Sequence, residues 1–310
     1  MSPTATRPAV KSPPLSPRLD VRKTYKLYIG GAFPRSESGR SYVVTDAKGR
    51  FLANAAQASR KDARDAVRAA RAAFPGWAGT TAYNRGQVLY RVAEVMEGRF
   101  DQFVAEVSAA EGLNAARARV TVAAAIDRWV WYAGWSDKLA QVLGNLNPVA
   151  GPYFGISAPD ATGVVAALAP QSSSLLGLVS VVAPIVVSGN TCVVVSSAAR
   201  PLPAVTLSEA LATSDVPGGV INVLTGYPGE LAPWLASHRD VNALDLTGAA
   251  EADGVVWGDL EAAAADTVKR VLRPAGTGAT AVEPDWTAAP DLRRIRAFLE
   301  TKTVWHPKGR

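Results

Sequence analysis

The sequence predicts an α/β fold built on a doubly wound parallel sheet, and three observations support this. Short apolar segments bounded by turn residues predict buried strands, at 163–168, 191–195, 220–224 and 243–246. Longer apolar segments at 175–187 and 205–213 have the length of helices and separate these strands. The order strand, helix, strand is typical of a sheet whose ligands lie at the carboxyl ends of its strands.

The amino-terminal half is predicted to be mainly helical after a small β-hairpin. Alternating residues at 26–33 and 41–44 predict the two strands of that hairpin. Ser59 and Asp62 have the spacing of a capping box, and they precede a helix that extends to Trp77.

Two longer helices are predicted next, at 84–107 and 115–139, from apolar residues at helical spacing. Pro148 and Gly151 then end the helical part. Three tryptophans in the second of these helices suit either the core or a contact with another chain: Trp129, Trp131 and Trp135.

Charge and composition exclude several classes of protein. The chain has 310 residues and a formal net charge of +6. Five basic side chains fall within residues 1–25, and no basic run is interleaved with aromatics, so we expect no nucleic-acid partner. We expect residues 1–24 to form a flexible basic tail. Pro170 and Pro184 interrupt the most apolar stretch, so we expect no membrane span.

The cysteine and histidine content argues against disulfides and metal sites. Cys192 is the only cysteine, and the two histidines are His238 and His306. These residues are too few for a structural zinc site, and no metal is expected. A single cysteine and the lack of a secretory apolar segment suit a cytoplasmic location.

Several runs resemble the aldehyde dehydrogenase superfamily in their order and spacing. They are LYIGG at 27–31, SGNT at 188–191, PGGVINVLTG at 217–226 and ASHRDV at 236–241. The resemblance implies a Rossmann-like cofactor-binding domain. It also implies, for active members, a cysteine nucleophile, an oxyanion-binding asparagine, hydride transfer to NAD(P) and a glutamate base.

The catalytic positions implied by the resemblance are substituted in this chain. Ser172 stands at the position of the family's oxyanion asparagine, and Arg273 and Pro274 lie where the segment with the glutamate base would be. After about Asp285 the chain passes almost directly to a stretch that resembles the family's extreme carboxyl terminus. We therefore expect a shortened, catalytically degenerate member without the catalytic domain, a pseudoenzyme that is no enzyme on its own.

The cofactor positions implied by the resemblance are degenerate as well. This remnant comprises Pro170, Val195, Ser197, Ala198, Thr247, Gly248 and Ala249. Val195 and Ala198 replace a lysine and a glutamate that would hold the adenosine ribose, and Ala249 replaces a serine near the pyrophosphate. We expect no resident cofactor and at most weak binding of NAD(P).

Other candidate sites have simpler structural interpretations. Cys192 lies in an apolar run, which predicts a buried thiol with a raised pKa. The run at 276–281 approaches a dinucleotide-binding pattern, but no helix follows it, so we predict a loop. The serines at 172–174 lack a nucleophile-elbow pattern and are interpreted as helix-capping residues.

The family resemblance also implies surfaces for subunit contact. It divides the chain into a tail at 1–24, a helical part at 25–141, an oligomerisation hairpin arm at 142–163, a Rossmann-like part at 164–285 and a carboxyl-terminal interface strand at 286–310. The main hypothesis is a non-catalytic scaffold subunit that forms a homo-oligomer, or a hetero-oligomer with an active aldehyde dehydrogenase paralogue. The alternatives are a nucleotide-binding sensor and residual dehydrogenase activity only in a complex.

Overall fold

The computed structural model describes residues 23–276 and 281–309, and these residues form three sheets with helices around the largest one. Its amino-terminal elements are β1 Thr24–Tyr25, β2 Ser41–Thr45, β3 Phe51–Ala56, α1 Arg60–Gly79, α2 Ala82–Glu97, α3 Phe100–Glu111, α4 Ala115–Ala133 and α5 Leu139–Leu143. The strands β4 Asn145–Asn147 and β5 Tyr153–Ala161 follow. Residues 1–22 of the predicted tail and 277–280 of the predicted loop lie outside the described residues.

The central sheet follows, and all its strand pairs are parallel, in the order β10-β9-β6-β7-β8. Its strands and helices are β6 Val164–Leu168, α6 Leu176–Val187, β7 Thr191–Val195, α7 Leu202–Leu211, β8 Ile221–Leu224, α8 Pro228–Ser237, β9 Ala243–Asp245, α9 Trp257–Ala265 and β10 Arg270–Leu272. A 3₁₀ turn, Thr247–Ala249, follows β9. This arrangement confirms the predicted doubly wound fold class.

Alternate residues of the central strands feed two separate cores. In β6, Val165 and Ala167 pack into the core that contains helices α2, α3, α4, α6 and α7. Val164 and Leu168 face the opposite core, with α1, α8 and α9. Because strand side chains alternate with period two, a strand buried on both faces is apolar on both, as β6 is at every position. In β7 the one polar residue is Thr191, whose hydroxyl donates to the Ala70 carbonyl.

The first helix begins where the sequence predicted. The Ser59 hydroxyl accepts from the Asp62 backbone N–H at 3.3 Å, and the Asp62 carboxylate accepts from the Ser59 N–H at 2.8 Å. This reciprocal capping box satisfies two amides that have no partner within the helix. Near the other end, Trp77 Nε1 donates to the Val186 carbonyl at 2.9 Å and fixes α1 against α6.

Three details of the amino-terminal half differ from the prediction. Residues 26–33 form only isolated bridges, whereas the true hairpin is β2 with β3, since the turn at 46–50 joins them directly. The predicted helix at 84–107 is broken at Gly98, which caps α2 before α3 begins. The helix predicted to reach 139 ends at Ala133, where α4 is capped by Gly134.

The three tryptophans in and just after α4 pack in or against the core. Trp129 is fully buried, and Trp131 and Trp135 are half-buried against the same cluster. Within the described ranges, no helix combines the length and the hydropathy that crossing a lipid bilayer requires.

The third sheet is small and lies at the end of the chain. The short helix α10 Arg293–Arg296 precedes β11 Leu299–Pro307, which pairs antiparallel with β5 over nine residues. The order β11-β5-β4 places β5 in the middle. The segments predicted as arm and interface strand therefore pair with each other within one chain.

Candidate functional site

The predicted site positions converge at the carboxyl edge of the central sheet. Ser172 follows β6, Ser197 follows β7 and Thr247 follows β9, so three loops meet there. Arg273 and Pro274 follow β10 at the same edge. The fold thus brings the sequence-predicted positions together, as the parallel topology requires.

A carboxylate from later in the chain binds the loop after β6. Glu283 accepts from the Gln171 backbone N–H at 3.0 Å and from the Ser172 hydroxyl at 2.9 Å. Trp286 Nε1 donates to the same carboxylate at 3.0 Å. The Ser172 hydroxyl is therefore engaged by an acceptor of its own chain. Sequence reasoning assigned no role to Glu283, because no local pattern links residues 112 positions apart.

The loop after β7 is held by Gln171 and Arg200. The Gln171 side-chain oxygen accepts from the Ala198 backbone N–H at 3.0 Å, and the Ser197 hydroxyl donates to the Gln171 carbonyl at 3.1 Å. Arg200 donates to the carbonyls of Gln171 and Ser172. The Ala198 backbone N–H, which could otherwise face an anion, thus already has an internal acceptor.

The turn after β9 is organised by a buried ion pair. The fully buried Asp245 accepts from the Thr247 backbone N–H at 3.0 Å and from its hydroxyl at 2.6 Å. Arg294 donates to the other Asp245 oxygen and to the Thr247 hydroxyl. Arg294 lies on α10, so a segment that follows the sheet in sequence closes its edge.

Gly248 lies directly on the end of β6. A Cβ at this position would come within 2.4 Å of the Leu168 carbonyl oxygen and 2.5 Å of the Ala169 carbonyl carbon. Only glycine fits such a backbone approach. The space between the 3₁₀ turn and the end of β6 is therefore closed.

The side chains at the cofactor positions offer few contacts to a dinucleotide. The Val195 side chain is buried in the core, and the side chains of Ala198 and Ala249 have no polar atom. The Ser196 hydroxyl is buried and has no hydrogen-bond partner among the described residues. Two carboxylates, those of Glu251 and Glu283, lie close together at this edge. Burial, and to a smaller extent the charge of Glu283, raises the pKa of Glu251.

The remaining candidate residues have structural roles. Cys192 is fully buried in β7, and burial raises the pKa of its thiol, as expected for a core cysteine. Of the three serines predicted to cap a helix, only Ser173 accepts from an α6 amide, the Gly177 N–H at 2.9 Å, and the N-cap residue itself is Leu175. The hydroxyls of Ser172 and Ser174 donate to Glu283 and Glu111 instead. In the part of the chain that the structure describes, no three His, Cys, Asp or Glu side chains are grouped to hold a metal ion.

Comparison with curated proteins identifies relatives that are named as dehydrogenases. Retinal dehydrogenase 2 of Homo sapiens is 31% identical over 273 residues, which cover 85% of this chain and 51% of that protein. 2-hydroxymuconic semialdehyde dehydrogenase of Pseudomonas sp. (strain CF600) is 34% identical over 240 residues, covering 73% of this chain and 48% of that protein. The chain spans about half the length of the curated relatives it matches.

These relatives overturn one prediction made from the sequence. The expectation that the chain is no enzyme on its own is wrong, because the proteins it matches are named as retinal dehydrogenase and aldehyde dehydrogenase. The prediction rested on the residue types at Ser172, Arg273 and Pro274, and on the expectation that the catalytic domain with its cysteine nucleophile is absent after about Asp285.

Solved structures and a family model agree with these relatives. HpcC from Thermus thermophilus superposes with a TM-score of 0.74 at 27% identity, covering 80% of this chain and 47% of that one. PnpE in complex with nicotinamide adenine dinucleotide gives 0.73 at 26% identity, covering 80% and 50%. The model described as "Aldehyde dehydrogenase family" matches residues 33–293. The chain belongs to the aldehyde dehydrogenase family.

Proposed function

We propose that the chain is a subunit of an aldehyde dehydrogenase family assembly, in which it is a structural or regulatory partner. Its β4, β5 and β11 sheet would dock on a second copy of the chain or on a full-length family member. The observation that supports this is a row of exposed apolar side chains across that sheet.

The row follows from the strand register. Leu146 of β4 and Val304 of β11 both lie opposite Ile156 of β5, so the three side chains share one face. They are 64%, 51% and 48% exposed, respectively. Phe154 lies two residues along β5 on the same face and is also exposed. A contiguous apolar patch of this kind is typical of a contact surface.

The outer edge of β11 supports the same proposal. Because β5 occupies one edge of β11, the other edge of β11 has no strand partner among the described residues. A nine-residue exposed edge strand is suited to extension by a neighbouring chain.

Oligomeric state tests this proposal. We expect size-exclusion chromatography with light scattering to show a species larger than a monomer, either alone or after co-expression with a full-length family member. The double variant Ile156→Asp and Val304→Asp should shift the chain to monomer, because the patch would carry charge. The control Val120→Asp changes a 71% exposed valine on α4 and should leave the assembly intact. A wild-type chain that is monomeric in both experiments would refute the proposal.

We propose in addition that NAD(P) binds at most weakly at the carboxyl edge of the sheet. Glu283 already binds the Gln171 amide and the Ser172 hydroxyl, and it places negative charge where a pyrophosphate would approach. This favours the assembly role over the alternative of a nucleotide sensor. Calorimetric titration with NAD and NADP tests the point, and saturable binding with a Kd in the micromolar range would contradict it.

A further inference from the structure

A cavity of about 340 Å³ lies between two core helices and the segment that closes the sheet edge. Its lining includes Arg128 and Tyr132 of α4, Ser180 of α6, and Trp286, Pro290 and Arg294 of the closing segment. The volume is within the range of pockets that bind small organic molecules.

Arg128 is the central charged group of this cavity. Arg128 is only 8% exposed. Its guanidinium donates to the Ser180 hydroxyl and to the Ala288 carbonyl, both at 2.7 Å. No carboxylate lies within ion-pair distance of it among the described residues. A guanidinium has five N–H donors, so the capacity to bind an anion remains.

The other arginines of the cavity are already paired with carboxylates. Arg294 binds the buried Asp245. The pairs at the rim are Arg293 with Asp291 and Arg273 with Glu261. The carboxylate of Asp285, which also lines the cavity, accepts from the Thr287 N–H and hydroxyl of its own turn.

Burial makes the lack of an anionic partner costly for Arg128. Burial is the main effect that lowers the pKa of Arg128; Tyr132 and the more distant Asp285 carboxylate raise it in part, and the Arg294 charge lowers it further. A buried charge is stabilised by an ion pair with well-placed hydrogen bonds. An anionic ligand in the cavity would supply such a pair.

The walls of the cavity restrict the kind of anion. Trp286, Leu272, Pro284 and Pro290 give it a mainly apolar surface, and Trp286 is buried. Inorganic phosphate would need several donors around it, whereas a planar carboxylate matches the fork of one guanidinium. The geometry points to a site for a small organic carboxylate, with its anionic end on Arg128 and its apolar body against Trp286 and Leu272. This inference is independent of the proposed assembly role.

Calorimetric titration of the full chain with benzoate tests the site. Benzamide has the same shape without the charge, and inorganic phosphate is an anion without an apolar body. We expect saturable binding of benzoate and no saturable binding of the other two. Arg128→Met should weaken benzoate binding about tenfold or more, because a charge-assisted contact is lost.

Two further variants separate loss of the site from loss of the fold. Ala289→Phe places a ring in the cavity at an exposed rim position, leaves the bonds of Arg128 intact, and should also abolish binding. Arg296→Met removes an exposed arginine of the same short helix that does not line the cavity, and it should leave binding unchanged. The inference would be overturned if benzoate does not bind, if neither Arg128→Met nor Ala289→Phe weakens its binding, or if phosphate binds equally well.

Discussion

The carboxyl edge of the central sheet and the sheet of β4, β5 and β11 differ in whether the chain itself supplies partners for their polar groups. At the central edge, Glu283, Arg200 and Arg294 of the same chain bind the loop donors and acceptors. In the small sheet, the outer edge of β11 and an apolar row face the surroundings. The first region is closed by contacts within one chain, whereas the second exposes the surface that we propose as a contact with a partner.

Removal of the ion pair between Arg294 and Asp245 should have the largest effect on stability, and it tests whether contacts within the chain hold the carboxyl edge together. Asp245 is fully buried, so Arg294→Met would leave an unpaired buried carboxylate. Breaking such a pair costs roughly 3–5 kcal/mol of stability. We expect urea denaturation to show a loss of this size in the free energy of unfolding.

Arg293→Met is the matched control, because Arg293 is the neighbouring residue and its ion pair with Asp291 is exposed. An exposed pair contributes about 0–1 kcal/mol, so this variant should unfold at nearly the wild-type urea concentration. Equal losses in the two variants would show that the sheet edge does not depend on the buried pair.

The carboxylate of the half-buried Glu106 is only partly hydrogen-bonded, so the pH dependence of stability provides a second test. One of its oxygens accepts from the Thr206 hydroxyl at 2.8 Å, and the other is buried with no hydrogen-bond partner in the described residues. Burial raises the pKa of Glu106 to about 7. Because the folded-state pKa is above the unfolded one, stability is highest below the unfolded pKa and falls as pH rises through about 7.

The expected loss for Glu106 is roughly 2–3 kcal/mol between mildly acidic and alkaline pH. Glu106→Gln should remove this part of the pH dependence and should be the more stable protein at alkaline pH. Urea midpoints measured across this pH range test the effect. Parallel curves for wild type and variant would show that Glu106 is not the responsible group.

The sequence predicts those parts of the structure that local patterns determine. Apolar runs located four of the five central strands but not β10, and the spacing of Ser59 and Asp62 located the start of α1. The break at Gly98 was missed, because apolar residues continue at helical spacing across it. The contact of Glu283 with Ser172 was also missed, since it joins residues 111 positions apart and leaves no local signal. Local order was therefore predictable, whereas the closure of the sheet edge depends on long-range contacts.

Glu283→Gln tests that closure directly. The amide would keep one acceptor but present a donor to either the Gln171 N–H or the Ser172 hydroxyl. Loss of one such bond costs about 1–2 kcal/mol, which a urea titration can resolve. Glu251→Gln is the control, because Glu251 is an exposed carboxylate at the same edge. A loss of equal size in both variants would indicate a general charge effect instead of a specific contact.

The smallest expected effect concerns a link between the central sheet, at the first residue of β10, and the sheet of β4, β5 and β11. Arg270 of β10 donates to both oxygens of Glu300 on β11, at 2.7 and 2.8 Å, and this bond lowers the pKa of Glu300. Its stabilisation is thus present above the ordinary pKa of a glutamate and is lost as pH falls through the lowered value. The pair is solvent-exposed, so Glu300→Gln should cost about 0.2–1 kcal/mol. Hydrogen exchange should then be faster in β11 and unchanged in β7, because only the edge strand loses a tether; faster exchange in both strands would mean that the two regions unfold as one unit.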